Sequence, residues 1–127
     1  MNTRIELVET KVENSTLILE PAEISAELEQ SDLKAQGQML VDSDHLAFIY
    51  ILESKDEFVY ASLPYQIWPQ LKEALDKEYR VDMKINDQQI ELENLKEELR
   101  YLLENIKDNA NYGDEMESKV VELFSLS

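Results

Sequence analysis

The sequence predicts an α+β fold in which a mostly antiparallel β-sheet of about five to seven strands packs with two to three helices, the last two C-terminal. Short β-branched and apolar segments separated by turn residues fill the first part of the chain, as in hairpins. Helical spacing of apolar residues is clearest near the end. Strands first and helices late favour α+β over an alternating βαβ fold. The length of 127 residues, 43% of them hydrophobic, indicates a single domain spanning residues 1–127.

A hairpin is predicted at the N-terminal end of the chain. Residues 5–12 mix β-branched and polar side chains, residues 16–19 are apolar, and residues 13–15 between them favour a turn. Pro21 ends the second strand because proline cannot donate to a strand ladder. Residues 22–34 have two interpretations, a short helix or a solvated acidic loop.

A second hairpin is predicted around the most apolar run of the sequence. Residues 37–41 form a strand that enters a turn at residues 42–44. Residues 46–52 are apolar without alternation, which is typical of a strand covered on both faces. Residues 53–56 form a polar loop, and residues 58–61 return as the next strand. We expect the sheet to be centred on residues 46–61.

A helix is predicted near residues 66–78. Pro69 cannot lie in a helix interior, because its ring would clash with the preceding turn. We therefore expect one helical turn around residues 65–68, followed by a helix with Pro69 in its first turn. Residues 81–85 alternate apolar and charged side chains, which predicts a strand with one buried face. Residues 89–92 are predicted to form a further strand that pairs with residues 81–85.

Two helices end the predicted fold, near residues 92–107 and 114–124. The first is indicated by three- and four-residue spacing of Leu92, Leu95, Leu99, Leu102, Leu103 and Ile106. Asp114 is expected to cap the second, with Met116, Val120 and Phe124 on its apolar face.

The net charge of −16 limits the classes of partner. It repels phosphates, so direct nucleic-acid binding is disfavoured, and anionic membranes are disfavoured for the same reason. A basic protein would be attracted, although such charge also simply keeps a small protein in solution. Cysteine is absent, which excludes disulfides and thiolate sites. The N-terminus does not resemble a secretion signal, so we expect a cytoplasmic protein without membrane association.

The only histidine follows a short polar run, which makes a first candidate site of Asp42, Ser43, Asp44 and His45. Oxygen and nitrogen ligands lie close together here. An EF-hand loop starting at Asp42 would need a ligand and a glycine where Leu46 and Ala47 stand. A serine between two carboxylates is a poor nucleophile. A turn shaped by the aspartates is therefore favoured.

A second candidate cluster lies between the last two helices and comprises Asn109, Asn111 and Tyr112. It is either a recognition loop or helix-end chemistry, with Gly113 at positive φ; the latter is favoured. Trp68 is expected in the core rather than on an interface with Tyr60 and Tyr65. No phosphate-binding or dinucleotide motif is present, and we expect no cofactor, no metal and no catalytic activity.

Residues 37–44 (GQMLVDSD) and 104–113 (ENIKDNANYG) carry a family resemblance. The chain is similar to the YjbL-like uncharacterised proteins of Gram-positive bacteria of the Bacillus and Staphylococcus type. The resemblance runs from residue 37 to residue 124, whereas the first 36 residues match loosely. It implies a bacterial cytoplasmic protein and no known activity, cofactor, partner or functional residue.

Three classes of function stay open. The leading hypothesis is a protein-binding or adaptor module with a basic partner, of which a nucleic-acid mimic that inhibits a DNA- or RNA-binding protein is a sharper form. An enzyme or a small-ligand- or metal-binding protein would use a site near Asp42–His45 or Asn109–Gly113, above all if the two segments converge. A homo-oligomer is the third class.

Overall fold

One seven-stranded sheet contains the strands of the computed structural model, which describes residues 3–22, 33–54, 57–85, 88–107 and 109–124. The strands are β1 (Thr3–Glu13), β2 (Thr16–Pro21), β3 (Lys34–Asp42), β4 (Ala47–Ser54), β5 (Glu57–Pro64), β6 (Arg80–Ile85) and β7 (Gln88–Glu91). Their order is β3-β4-β5-β1-β2-β6-β7. The β1–β5 and β2–β6 pairs are parallel and the others antiparallel. The predicted α+β class and mostly antiparallel sheet are confirmed.

The middle of the sheet is β1, so the prediction of a sheet centred on residues 46–61 is wrong. The β1–β2 hairpin lies between β5 and β6 and pairs with both in parallel. Such long-range pairing leaves no local signal. β4 is nevertheless an interior strand, and its nearly continuous burial matches its apolar sequence.

The turns differ from the prediction in detail. The β1–β2 turn lies where expected, with Asn14 and Ser15 at positive φ. Leu46 belongs to the turn before β4, also at positive φ, rather than to the strand. Residues 53 and 54, predicted as part of the polar loop, instead extend β4; the other two residues of that predicted loop lie outside the described residues. The short helix considered at residues 22–34 falls almost wholly outside the described residues.

Three α-helices follow in the described ranges: α1 (Trp68–Lys77), α2 (Leu95–Ile106) and α3 (Asp114–Leu123), with 3-10 turns at Tyr65–Ile67 and Ala110–Tyr112. Pro69 stands in the first turn of α1, as predicted. Asp114 does not cap α3: Gly113 holds the N-cap position, and Asp114 is the first helical residue. Within the described part of the chain, no helix is long and apolar enough to cross a membrane.

An aromatic cluster anchors the C-terminal helix to the sheet. The Trp68 ring centroid lies 5.1 Å from that of Phe48 and 5.7 Å from that of Phe124. Trp68 is fully buried, and its indole nitrogen donates to the Leu63 carbonyl at 3.0 Å. The predicted core position of Trp68 is confirmed.

The face of β6 that is predicted to be exposed to solvent is in fact buried at Asp82. Val81, Met83 and Ile85 enter the core as expected, but Asp82 on the opposite face of β6 is also buried. Its two carboxylate oxygens accept hydrogen bonds from Arg80 and Gln89, each at 2.7 Å. Arg80 belongs to β6 itself and Gln89 to the neighbouring strand β7, so one same-strand and one cross-strand donor satisfy this buried carboxylate.

The edge strand β3 is irregular where the sheet curls. Its register with β4 shifts between Ala35 and Met39, and Gly37 within the shift has φ +70°. The Asn94 amide donates to the Gly37 carbonyl at 3.2 Å. β3 and β7 also contact each other although they are opposite ends of the strand order. The sheet therefore curls until its two edges approach.

Candidate functional site

The first candidate segment forms a turn stabilised by its own side chains. Asp42 ends β3, and its carboxylate accepts a hydrogen bond from the His45 main-chain nitrogen at 3.3 Å. The His45 Nδ1 atom lies 2.8 Å from the other Asp42 oxygen. Ser43 is half-buried and its carbonyl accepts from the Leu46 nitrogen, whereas Asp44 is exposed. The structure thus brings Asp42 and His45 together and leaves Asp44 in solvent.

Arg4 is the component of this cluster that sequence analysis missed. Its guanidinium donates to Asp42 at 2.7 Å, to Ser62 Oγ at 3.2 Å and to Glu6 at 3.0 Å. Although partial burial opposes ionisation of Asp42, the hydrogen bonds from Arg4 and His45 hold its pKa below the ordinary value. Since Arg4 and Asp42 are 38 positions apart, no local motif could have paired them.

The Arg4–Asp42 ion pair shows that the sheet is bent between β1 and β3. Arg4 lies on β1 and Asp42 on β3, with β5 and β4 between them. Three strand spacings on a flat sheet are about 14 Å, too far for these two side chains to meet. The pair therefore closes a bend, with the buried Ser62 side chain of β5 beneath it.

The chemistry available to this cluster is limited. Asp42 is the hydrogen-bond partner of the His45 ring, and no serine of the described residues bonds to that ring. No group of three His, Cys, Asp or Glu side chains within the described ranges is arranged to hold a metal ion. The arrangement supports an electrostatic link between β1 and the β3–β4 turn.

The second candidate segment is likewise held by local hydrogen bonds. The Asn109 side-chain oxygen accepts from the Asn111 nitrogen at 3.0 Å, and the Asn109 carbonyl accepts from the Tyr112 nitrogen at 3.4 Å. Tyr112 packs against the core, while Asn111 is exposed. Gly113 has φ +94°, as predicted. No hydrogen bond or ion pair among the described residues joins this segment to Asp42 or His45.

A more exposed feature is the outer face of α2. Tyr101 is 65% exposed, the largest value among the exposed large hydrophobic residues. Glu97 and Glu104 are exposed four positions before it and three after it, so the three side chains share one face of the helix. The tyrosine content of the chain could have indicated an interface, but only the structure shows which tyrosine is uncovered.

The two cationic side chains of α2, Lys96 and Arg100, already form ion pairs with Glu78. Arg100 donates to the Glu78 carboxylate at 2.6 Å, and the Lys96 ammonium lies 3.4 Å from the same carboxylate. The Arg100 hydrogen bond, helped by Lys96, holds the pKa of Glu78 below its ordinary value. Glu97 and Glu104 form no ion pair with a described residue. The two carboxylates beside Tyr101 are therefore free of ion pairs within the described part of the chain.

A groove of about 310 Å³ opens at the N-terminal end of α2. It lies between the end of α1, the β6–β7 strands and the first turn of α2, and Glu97 belongs to its lining. Arg80 and Lys96 at the groove are held by Asp82 and Glu78. Glu91 and Glu97 also line it; Glu91 interacts electrostatically with Arg80, whereas Glu97 forms no ion pair with a described residue. The groove and the Tyr101 face are thus continuous through Glu97.

Comparison with known proteins places the chain in a family. A family model described as "Family of unknown function (UPF0738)" matches residues 5–124. The UPF0738 protein YjbL of Bacillus subtilis (strain 168) is 48% identical over 126 residues, which are 98% of this chain and 99% of that protein. The UPF0738 protein RBAM_011600 of Bacillus velezensis is 51% identical over 124 residues, with the same coverage.

The match confirms the YjbL-like resemblance and extends it, since the N-terminal residues align as well. No solved structure shows significant similarity to the chain. The relatives carry no name that states an activity, and the family description assigns none. The chain belongs to the bacterial UPF0738 family.

Proposed function

We propose that this protein is a non-catalytic binding module that docks a basic segment of a partner protein on the outer face of α2. The observation that carries the proposal is Tyr101, which is 65% exposed and stands between two exposed carboxylates, Glu97 and Glu104, that form no ion pair with a described residue. Tyrosine is among the residues that most often dominate binding energy at protein interfaces. An exposed aromatic side chain inside an acidic surface fits a partner that combines an apolar or arginine side chain with flanking cations.

Charge supports a basic partner. The protein carries a net charge of −16, which would accelerate encounter with a cationic surface. Locally, Lys96 and Arg100 share the Glu78 carboxylate, and the carboxylates beside Tyr101 form no ion pair with a described residue. Along the helix axis, the two carboxylates are about 10 Å apart. This spacing suits two cationic side chains on a short partner segment.

A ligand or metal site at Asp42 and His45 is the second class considered, and no observation on the described residues favours it. The hydrogen bonds of that cluster are explained by the turn and by the link to Arg4. A cytoplasmic location is part of the proposal and rests on the cysteine-free, acidic composition.

The proposal is tested by capture from a Bacillus lysate with the tagged full chain at low and moderate salt. We expect a basic protein that is retained by the wild-type chain and lost with Tyr101→Ala and with the double charge reversal Glu97→Lys/Glu104→Lys. Tyr65→Ala is the matched control, because Tyr65 is also exposed, at 47%, but lies in the 3-10 turn before α1. A partner retained by all variants, or none that depends on Tyr101, would contradict the proposal.

Competition with a DNA oligonucleotide identifies the mimic form of the hypothesis. If the captured protein is a nucleic-acid-binding protein, the oligonucleotide should displace it, because carboxylates and phosphates would then occupy the same site. A captured partner unaffected by the oligonucleotide supports an adaptor rather than a mimic.

A further inference from the structure

We infer that the edge strand β3 pairs with β3 of a second copy of this chain, in antiparallel orientation, to form a homodimer. This inference does not depend on the docking face of α2, since it concerns a different element. The observation that carries it is the second half of β3, from Gln38 to Asp42, which ends the seven-stranded sheet and pairs on one side only among the described residues. An edge of this kind presents main-chain donors and acceptors to another strand.

The other parts of the sheet edges are protected against pairing with another chain. β7 at the opposite edge is only four residues long. The first half of β3 contains Lys34 and a register shift between Ala35 and Met39. Short strands, lysines and irregular register are devices by which edge strands avoid pairing with other chains. This protection ends where regular pairing with β4 resumes at Met39.

The second half of β3 is open to another strand. The hydrogen bonds that link β3 to the opposite edge of the sheet involve Gly37, which bonds to the Asn94 amide and to the Tyr50 hydroxyl. From Met39 to Asp42, β3 pairs with β4, and its main chain forms no hydrogen bond to any other element of the described ranges. Because the main-chain groups of a strand point alternately to its two sides, every second residue of this stretch points away from β4.

The side chains of this stretch complement their own copies. Met39 and Val41 pack on the core, so Gln38, Leu40 and Asp42 share the outer face of the strand. Leu40 is 47% exposed. With a two-fold axis at Leu40, this side chain lies opposite Leu40 of the second copy, and Gln38 lies opposite Asp42 of the second copy, twice by symmetry. The leucine pair removes apolar surface from water, and each Gln38 amide can donate to a carboxylate.

Charge favours a second copy over a basic partner at this edge. Residues 35–41 contain no charged side chain, although 31% of the residues of the chain are charged. The Asp42 carboxylate at the end of the stretch is paired with Arg4. Such an edge attracts a cationic segment weakly and spares two copies a direct repulsion between like charges. The net charge of −16 acts at longer range, so the dimer should tighten as salt screens it.

The dimer is measured by sedimentation equilibrium of the full chain at low and high salt. We expect a dissociation constant on the order of 100 µM, which decreases with salt, because a strand-edge interface of this length lies below the standard interface size. Leu40→Lys places two like charges opposite each other and should raise the dissociation constant at least about tenfold. Phe58→Lys is the matched control, since Phe58 is 46% exposed but lies on the interior strand β5; it should leave the dimer unchanged.

A disulfide cross-link tests the register without a change of charge. The chain has no cysteine, so a single introduced thiol can bond only to its own copy. In Leu40→Cys, directly opposite Cα atoms are about 4.5–5.5 Å apart, within the range of a disulfide. Oxidised glutathione, which is reduced as the two thiols are oxidised, should therefore cross-link this variant. Gln38→Cys should stay monomeric on denaturing gels, because its two copies would be about 13 Å apart along the strands.

Three results would overturn the homodimer. The first is a chain that stays monomeric up to about 1 mM at both salt concentrations. The second is a dimer that Leu40→Lys and Phe58→Lys affect equally, which would place the interface elsewhere. The third is equal cross-linking of Leu40→Cys and Gln38→Cys. If the chain stays monomeric and Leu40→Lys instead removes a protein captured from lysate, the edge binds a different partner and the inference is wrong.

Discussion

The Tyr50 hydroxyl donates a hydrogen bond of 2.6 Å to the main-chain carbonyl of Glu93. Tyr50 lies on β4, next to one edge of the sheet, while Glu93 follows β7 at the opposite edge. The same hydroxyl accepts from the Gly37 nitrogen at 3.2 Å. Burial raises the pKa of Tyr50 to about 12, so its proton stays in place at neutral pH. Together with the Asn94–Gly37 hydrogen bond, this side chain therefore links the curled edges.

Replacing Tyr50 with phenylalanine should lower the free energy of unfolding by about 1–3 kcal/mol, because the Gly37 and Glu93 main-chain groups lose a buried partner. Urea denaturation followed by Trp68 fluorescence measures the effect. Tyr65→Phe is the matched control, since Tyr65 is exposed, and should change stability by less than about 0.5 kcal/mol. Equal effects in the two variants would show that the hydroxyl bridge contributes nothing.

Gly37→Ala should destabilise the protein by about 1–2 kcal/mol, because φ +70° is unfavourable for a residue with a Cβ atom. Space is not the cause, since the nearest atom to an added Cβ would be Asn94 Cβ at 3.5 Å. Gly37→Asn should therefore cost less, as asparagine tolerates this conformation better. Thermal unfolding of both variants is the measurement, and an alanine variant as stable as the asparagine variant contradicts the strain argument.

The Arg4–Asp42–His45 cluster should make stability depend on pH in the acid range. The folded-state pKa of Asp42 lies below its ordinary value of 3.8. The ionised carboxylate therefore contributes stability that is complete above about pH 5 and declines as the pH falls through the folded-state pKa. Because the cluster is partly solvent-exposed, its contribution should stay within about 1 kcal/mol.

The measurement compares the unfolding free energies of wild type and Asp42→Asn from pH 7 down to pH 3. The wild-type advantage should shrink with acidification. Glu122→Gln, a change at an exposed position of α3, controls for the general effect of removing a carboxylate. An advantage that is constant over this range would exclude a pH-dependent role of Asp42.

Phe124→Ala should destabilise the protein by about 3–5 kcal/mol, since the ring fills the cluster with Trp68 and Phe48. Trp68 is the sole tryptophan, so its emission should also shift towards longer wavelength in the folded variant as water approaches. Phe58→Ala is the control, because Phe58 is 46% exposed. Retention of wild-type stability and emission in Phe124→Ala would mean that α3 is not anchored through this ring.

Local elements were predictable where a short stretch of chain contains its own physical cause. Pro69 forced a break before α1, and the three- and four-residue leucine spacing located α2 to within three residues. The β1–β2 turn followed from its polar residues. The prediction that Asp114 caps α3 was wrong because it relied on side-chain chemistry. Gly113 holds the N-cap position, and no side-chain hydrogen bond caps the helix.

The candidate site was predictable only in part. Asp42 and His45 are three positions apart and meet as neighbours in a turn, so their contact was within reach of sequence analysis. Arg4 was not, because its contact requires the sheet to bend across β4 and β5. The Tyr101 face and the groove beside Glu91 depend on which surfaces other elements leave uncovered.

The sequence by itself determined the class of the fold, its acidity and the identity of most helices and strands, because periodicity, proline and turn residues act over a few positions. Only the tertiary structure decided that β1 lies in the middle of the sheet, that Asp82 is buried and that Tyr101 is not. These outcomes depend on which strands pair and on which side chains are buried by segments far apart in the chain. The free energy of such contacts depends on both partners together, so neither segment alone specifies it.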